Sequence, residues 1–207
     1  MPAPSRRSDR RNSQASGKDS RNPSSFPPEP SSEKRGAGMT FKELADQLSA
    51  LSLSIAASDY AENGAHGDLL LEKKELRLVV QHMIEQEFYL VFATAVSLKP
   101  AACLVYQFAR HDVLLRVNIR VFAHGDEAPT ISDIFHAAMW YEREIHDFFG
   151  ICFTGNEDMR PLILSDMDAG FHPLVKAENA CMAAEKLGFL PLTDEPEAGD
   201  EQAPGES

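Results

Sequence analysis

The chain has 207 residues, a formal net charge of −12 and three cysteines, Cys103, Cys152 and Cys181. This length fits one domain with tails, and no stretch reaches the roughly 18 apolar residues of a membrane-spanning helix. The cysteines are too few and too far apart for a disulfide framework, a zinc site or an iron–sulfur cluster, so each is interpreted as a small neutral filler. Their odd number and dispersion indicate a reducing compartment.

Residues 1–38 are rich in Ser, Pro, Arg and Gly and are predicted to be disordered, since they contain almost no large apolar side chain. They carry eight basic and four acidic residues, so the rest of the chain has a formal charge of −12 − (+4) = −16. Without interleaved aromatics or an apolar run, the basic tail is interpreted as solvated, with no nucleic-acid partner and no signal peptide. Alternatively, translation starts at Met39, because Thr40 and Glu43 form a capping box typical of a helix start.

The next segments alternate between helical spacing and short apolar runs. Leu44, Leu48, Leu51 and Ile55 fall on one face and predict a helix over 40–57. The stretch 59–68 contains Asn63-Gly64 and is predicted to be a loop. After it we expect a short strand over 69–71 and a helix over 73–86.

Three strands are predicted next, over 88–96, 103–108 and 113–122. The last alternates cleanly, with apolar residues from Val113 to Val121 on one face and Arg116, Asn118 and Arg120 on the other. A turn at 110–112 makes the last two strands a hairpin. Hairpin strands with segregated helices indicate an α+β fold with a small, mainly antiparallel sheet and packed helices.

Large apolar residues and a dense charge cluster are combined in the segment 140–164. Helical spacing predicts a helix that follows Thr130 or Ser132 as N-cap and ends at Gly150, where positive φ costs little. Its apolar stripe consists of Ile134, Ala138, Tyr141, Ile145 and Phe148.

Glu142, Arg143 and Glu144 alternate in sequence with these apolar residues, beside Trp140 and Tyr141, and buried charges are costly unless they are paired. Arg143 and Asp147 are four residues apart and can pair, although such a pair adds only about 0.2–0.5 kcal/mol on an exposed helix. Two interpretations remain open. The cluster is an internal salt-bridge network that fixes the helix to the following loop, or it contacts a partner protein, where aromatics and arginine are enriched.

Other charged residues have simpler structural interpretations. Glu142 and His146 could share a metal, but no further ligands are in view, so an exposed helical pair is favoured. Arg116 and Arg120 could bind phosphate or nucleic acid, but an acidic domain opposes this, and surface or acid-paired arginines are favoured. No P-loop, nucleophile elbow or dinucleotide fingerprint occurs, so no catalytic residue, cofactor site or metal site is predicted in this chain.

The segment 140–164 resembles the signature of the 30 kDa subunit family of respiratory NADH-quinone oxidoreductase, the C-type subunits of complex I. That signature has an E-R-E triplet, an acidic residue, two large apolar residues, a glycine turn and a basic segment. The matching positions are Glu142, Arg143, Glu144, Asp147, Phe148, Phe149, Gly150, Ile151, Arg160, Leu162 and Ile163. Further on, Gly170, His172, Pro173 and Leu174 match the family's G-x-HPL ending.

The resemblance covers roughly 68–176 and is sharp from 140 to 174. It departs at Asn156, where the family usually has His, at Pro161, where Arg is common, and at Val175, where a basic residue is usual. The expected interface residues are Trp140, Tyr141, Glu142, Arg143, Glu144, Asp147, Phe148, Phe149, Gly150, Ile151, Arg160, Leu162, His172 and Pro173.

Resemblance implies a non-catalytic peripheral-arm subunit that docks onto two partners of the complex, a hydrogenase-like large subunit and a small Fe-S subunit. Flavin, Fe-S clusters or a NiFe centre would then belong to partner subunits, and electrons would pass from NADH to quinone there. Any membrane contact would come through partners, at the cytoplasmic face of a bacterial or archaeal inner membrane. The alternative is the equivalent subunit of a group 4 membrane-bound [NiFe]-hydrogenase or formate hydrogenlyase. A third class is a free-standing α/β enzyme, which would bind substrate or cofactor alone.

The domain predicted from this likeness spans 39–176, and beyond Gly150 it is expected to be extended and loop-rich. Residues 177–192 are predicted to form a short helix, over 177–187, and a loop. The last fifteen residues, 193–207, are acidic and poor in apolar side chains, so they are predicted to be a second disordered tail.

Overall fold

The computed structural model describes residues 38–168, 170–177 and 180–184. Its helices are α1 (Phe41–Leu48), α2 (Tyr60–Asn63), α3 (Leu76–Glu85) and α4 (Ala138–Phe149). Its strands are β1 (Ser52–Ala57), β2 (Gly67–Leu71), β3 (Phe88–Val96), β4 (Leu98–Lys99), β5 (Cys103–Arg110), β6 (Arg116–Phe122), β7 (Glu127–Pro129), β8 (Cys152–Thr154) and β9 (Met182–Ala183).

The first helix begins as predicted but ends early. The Thr40 amide donates to Glu43 Oε2 at 2.8 Å and the Glu43 amide to Thr40 Oγ1 at 3.3 Å, which is the predicted capping box. The prediction of one helix over 40–57 is wrong, because 52–57 forms strand β1 and pairs with β2. The Ser-rich sequence here is a weak helix former, and cross-strand pairing outweighs the helical spacing of Leu51 and Ile55.

The main sheet has the order β1-β2-β6-β5-β3. The pairs β1–β2, β6–β5 and β5–β3 are antiparallel, whereas β2 and β6 are parallel. The predicted α+β class and the predicted hairpin of β5 and β6 are confirmed. The α2 turn occupies part of the predicted loop, and Gly64 ends it in the left-handed conformation.

Helices α1, α3 and α4 pack on one face of this sheet and form the main core. Apolar residues from every strand of the main sheet point to that face, including the predicted stripe of β6. The largest fully buried side chains include Tyr106, Phe108, Leu69, Met83 and Ile119. Burying such a side chain contributes about 1.5–3 kcal/mol.

The opposite face of the sheet, hereafter the second face, carries a polar ladder across three strands. Gln107 donates to Asn118 at 3.1 Å, Asn118 donates to Asp68 at 3.1 Å, and Arg120 Nε lies 2.6 Å from the same Asp68 carboxylate. Next to the ladder lies a small apolar cluster, to which Ala184 belongs.

Several predictions fall on residues outside the described ranges. They are the two disordered tails, apart from Gly38, and most of the helix and loop over 177–192. Where that segment is described, the predicted helix is wrong at Met182–Ala183, which forms β9 and pairs in parallel with β4. Within the described part of the chain, no helix has the length and apolar character needed to cross a membrane.

Candidate functional site

Helix α4 starts later than its sequence suggested. It begins at Ala138 without a side-chain cap, so the prediction of Thr130 or Ser132 as N-cap is wrong. The residues between form turns, in which the Ile134 and Phe135 amides donate to the Ile131 carbonyl. The Thr130 hydroxyl instead donates to the Glu142 carboxylate at 2.6 Å, which ties the preceding loop to the middle of the helix.

Glu142 is completely buried and is held by three neutral donors. Besides Thr130, the Ile131 amide and the Asn156 side-chain amide donate to its carboxylate, each at 2.8 Å. Burial raises the pKa of Glu142 above its ordinary value, although these hydrogen bonds oppose the shift. The interpretation of Glu142 and His146 as an exposed pair is therefore wrong for Glu142.

Arg143 is also buried, and it does not pair with Asp147 as predicted. Its Nε and Nη2 atoms donate to the carbonyls of Arg160 and Pro161, both at 2.9 Å, and Nη1 lies 3.3 Å from the Asp158 carboxylate. The guanidinium carbon lies 5.4 Å from the centre of the Trp140 ring. The planar, forked group suits these several acceptors in the following loop, and these contacts hold it away from its helical neighbour.

Asp147 accepts three consecutive backbone amides. Those of Leu162, Ile163 and Leu164 donate to Oδ2 at 2.9, 2.7 and 3.1 Å. Burial would raise the pKa of Asp147, but the amide hydrogen bonds outweigh it and hold the pKa below its usual value. Asp147 thus fixes the loop through backbone amides of the loop rather than through an ion pair.

The C-terminal end of α4 binds the returning chain. Gly150 adopts a left-handed φ of 75°, and a Cβ atom there would lie 2.8 Å from the His172 ring. His172 Nδ1 lies 3.0 Å from the Asp147 carbonyl, and the Leu174 amide donates to the Phe148 carbonyl at 3.0 Å. Glycine is therefore needed here for both conformation and space.

These contacts confirm that Glu142, Arg143 and Asp147 join the helix internally to its neighbouring loops. The prediction that salt bridges do so is confirmed only for the contact of Arg143 with Asp158, because Glu142 and Asp147 are held by hydrogen bonds to neutral groups. Contact with a partner protein stays a prediction for the residues whose side chains these contacts leave exposed. Of the fourteen expected interface residues, the exposed ones are Trp140, Glu144, Arg160 and Pro173. The partly buried ones are Tyr141, Phe148, Phe149, Gly150, Leu162 and His172, and the buried ones are Glu142, Arg143, Asp147 and Ile151.

Three residues of the network were not identified from the sequence as contacts: Thr130, Asn156 and Asp158. Asp158 accepts from the Arg160 guanidinium at 2.8 Å and from its amide, and these bonds hold the pKa of Asp158 well below its usual range. The only signal was the spacing Asn-x-Asp-x-Arg, which is typical of side chains that bond their own backbone two residues on.

Exposed apolar residues of the same segment were also missed. We call residues 160–168 and 170–176 the pinned segment. Its large exposed side chains are Ile163, Met167, Phe171, Leu174 and Val175, and Met167 is 96% exposed.

The remaining candidates have ordinary roles. Arg120 pairs with Asp68, as the acid-paired interpretation predicted. Cys103 is buried and burial raises its thiol pKa to about 11, whereas Cys152 is exposed, so the filler interpretation is wrong for Cys152. Within the described ranges, no three or more His, Cys, Asp or Glu side chains are grouped so that they could hold a metal ion.

Comparison with known proteins places the whole region in one family. The family model "Respiratory-chain NADH dehydrogenase, 30 Kd subunit" matches residues 69–181, more than half of the chain. The C-type subunit of NADH-quinone oxidoreductase from Verminephrobacter eiseniae is 34% identical over 93 residues, which are 42% of this chain and 44% of that protein. Its counterpart from Jannaschia sp. is 46% identical over 79 residues, 35% of each chain. The chain thus spans less than half the length of these relatives.

A solved structure extends the likeness. A chain of the membrane-bound sulfane sulfur reductase, an archaeal respiratory membrane complex, is 25% identical with a TM-score of 0.55, over 75% of this chain and 94% of that one. The residues matched by the family model include all of α4, the pinned segment and the side chains that join the two. On the extent of that match, the chain belongs to the family of the 30 kDa subunit of respiratory-chain NADH dehydrogenase.

Proposed function

We propose that this protein is a non-catalytic subunit of the peripheral arm of a proton-translocating NADH-quinone oxidoreductase. In this role it docks onto the hydrogenase-like large subunit that borders the quinone site, and it contacts the small Fe-S subunit. Family membership supports the type of complex. The observation that carries the docking role is the pinned segment, whose backbone is fixed internally while its large apolar side chains face outward.

The pinned segment is anchored to the rest of the domain near both of its ends. Arg143 holds the carbonyls of Arg160 and Pro161, and Asp147 holds the next three amides. Near its end, the Ser97 hydroxyl donates to the Leu174 carbonyl at 3.2 Å and accepts from the Lys176 amide at 3.3 Å. A segment fixed in this way loses little further conformational entropy when a partner binds, so its contacts contribute more fully to affinity.

The outward side of this segment has the composition of a protein contact. Ile163, Met167, Phe171 and Val175 are all more than half exposed, and so is Trp140, which stacks over Arg143 beside the segment. Soluble proteins seldom leave several large apolar side chains exposed in one short stretch. Aromatic residues, Met and Arg are enriched in interface cores, which favours a large protein partner for this surface.

In this proposal the redox groups belong to the partners. Flavin, Fe-S clusters or a NiFe centre would carry the electrons, and this chain would brace the subunits that hold them. Its membrane association would be peripheral and would come through those subunits, on the cytoplasmic side of the inner membrane.

A second candidate is the equivalent subunit of a membrane-bound complex related to group 4 [NiFe]-hydrogenases. The likeness to a chain of the archaeal sulfane sulfur reductase complex favours it, because that likeness covers nearly all of the solved chain. The identity of the subunits that co-purify with this chain distinguishes the two candidates. Flavin and NADH-binding subunits support the first, and a large subunit with four nickel-binding cysteines supports the second.

The docking surface is tested by co-purification of the large subunit with the tagged full-length chain. We expect Phe171→Ser together with Val175→Ser to remove most of the large subunit, because both changes place hydroxyls in an apolar contact. Leu114→Ser is the matched control, since Leu114 is 64% exposed but lies between β5 and β6. Equal recovery of the large subunit with both variants would exclude this surface.

The third class, a free-standing enzyme, is tested by calorimetry of the purified chain. We expect no heat of binding with NADH or with a soluble quinone analogue. Saturable binding of either at one site per chain would contradict a purely bracing role.

A further inference from the structure

Met167, in the middle of the pinned segment, is the most exposed large apolar residue in the described part of the chain. It is 96% exposed, whereas the other large exposed residues of the pinned segment are between 49% and 65% exposed. Among the described methionines, Met182 is 47% exposed and Met83 is completely buried. The remaining ones are partly buried: Met39, Met139 and Met159. Met167 is therefore the methionine that a small reagent in water reaches most easily.

The turn that carries Met167 is held by hydrogen bonds of its neighbours. The Asp168 amide donates to the Ser165 carbonyl at 2.9 Å, and the Ser165 hydroxyl donates to the Asp168 carboxylate at 2.7 Å. The Phe171 amide donates to the Asp168 carbonyl at 2.9 Å. None of these bonds uses the Met167 side chain, so a chemical change at its sulfur leaves the turn in place. Such a change alters what the pinned segment presents to a partner and not how the segment is fixed.

The reagent that suits an exposed thioether is a small hydroperoxide. One oxygen atom of hydrogen peroxide passes to the sulfur, the O–O bond breaks, and the rest of the peroxide leaves as water. The sulfur is oxidised by two electrons and the peroxide is reduced by two. The product, methionine sulfoxide, is polar where the thioether is apolar, and this change disrupts interfaces that are built from apolar side chains.

We propose that Met167 is a reversible oxidation site that controls the docking of this chain, with hydrogen peroxide as the oxidant. This inference rests on the proposed function, because only a surface that docks through apolar contacts loses affinity when one of them becomes polar. The free chain is the form that reacts, since a docked partner would cover Met167 and protect it. Reduction by a dithiol-dependent sulfoxide reductase, which releases water and leaves a disulfide in the reductase, restores the thioether and the docking surface.

The proposal is tested by co-purification of the large subunit with the tagged full-length chain after oxidation. Only the tagged chain is treated with hydrogen peroxide, and catalase removes the peroxide before the partner is added. Peptide mass spectrometry should locate the first added oxygen at Met167. We expect recovery of the large subunit to fall about tenfold, as for the loss of one central apolar contact. Treatment with sulfoxide reductases and dithiothreitol should restore it.

Substitutions separate oxidation at Met167 from damage elsewhere. Met167→Leu keeps an apolar side chain of similar volume without a sulfur, so recovery should be high with and without peroxide. Met167→Gln places a polar side chain at the same position, so recovery should be low without peroxide. Met182→Leu is the matched control, because it removes the next most exposed methionine of the described residues and should leave the sensitivity to peroxide unchanged. None of these exposed changes should shift Tm.

An equal loss of recovery in peroxide-treated wild type and Met167→Leu would overturn the proposal, because the damage would then lie at another residue. Unchanged recovery of wild type with Met167 fully oxidised would also overturn it. In that case Phe171→Ser with Val175→Ser tells the two proposals apart. Low recovery with this double variant leaves the docking surface standing, and normal recovery excludes the docking surface as well.

Discussion

Arg143 and Arg160 bind the same carboxylate, that of Asp158, but in different surroundings. The Arg143 side chain is 10% exposed and also holds two carbonyl groups, whereas the Arg160 side chain is 82% exposed and bonds its own turn. The same division runs through the whole signature. Its buried half, Glu142, Arg143 and Asp147, builds the local fold, and for its exposed half, with Trp140 and Glu144, contact with other proteins stays a prediction.

The largest effect is expected for Arg143→Ala. Removing this guanidinium leaves the carbonyls of Arg160 and Pro161 and the Asp158 carboxylate without their buried donor, so the free energy of unfolding should fall by about 3–5 kcal/mol. Urea denaturation measures the change. Arg160→Ala is the control and should leave the unfolding midpoint unchanged, since its ion pair is exposed. Equal unfolding midpoints for the two variants would contradict the division of the signature into a buried half that stabilises the fold and an exposed half that does not.

A somewhat smaller loss is expected for Asp147→Ala. The three amides of residues 162–164, which are at least partly exposed, lose their common acceptor, and water replaces part of the bonding, so the free energy of unfolding should fall by about 2–4 kcal/mol. Glu144→Ala, an exposed change in the same helix, should have little effect. Faster proteolysis of the pinned segment in the Asp147 variant would sharpen the assignment, and unaltered cleavage would contradict it.

Next in size is Gly150→Ala, with an expected loss of about 1–3 kcal/mol, because alanine is strained at a φ of 75° and meets the His172 ring. Gly64→Ala is the matched control: its φ is 67°, but nothing lies within 4 Å of the added atom. The difference between the two melting temperatures measures the contact with His172. Equal losses would mean that the ring moves aside freely.

The smallest effect concerns pH. Because burial raises the folded-state pKa of Glu142, its protonated form favours folding, and this contribution is lost as pH rises from the unfolded pKa, near 4.5, through the folded pKa. Wild-type stability relative to Glu142→Gln should therefore fall across that window. Thermal melting of both proteins between pH 4.5 and 8 tests this. If wild-type stability relative to Glu142→Gln instead rises with pH, a cation must lie near the carboxylate, which would contradict a site built from neutral donors.

Local patterns were sufficient for much of the fold. The capping box of α1, the alternation of β6 and the glycine stop of α4 each depend on residues close together in the sequence, so periodicity and turn chemistry revealed them. The same rules failed at 52–57, where helical spacing coexists with a strand. Pairing with β2 decides that segment, and no residue within it reports the partner.

The sequence similarly located the signature, but it did not identify the partners of its charged side chains. Charge density and the family resemblance identified Glu142, Arg143 and Asp147 as unusual, because charges among large apolar residues need partners. Helical spacing then suggested the wrong pair, since neighbours four residues apart are only one of the options for a long side chain.

What the sequence determined by itself was the composition of the site: which charges must be satisfied, where the helix stops and which family the motif resembles. Only the tertiary structure decided that Glu142 faces Thr130 and Asn156, that Arg143 and Asp147 turn to the backbone of the pinned segment, and that Ile163, Met167, Phe171 and Val175 remain exposed. The physical reason is that a buried charge accepts any well-placed donor or acceptor, and backbone groups, which are the same at every position, leave no mark in the sequence.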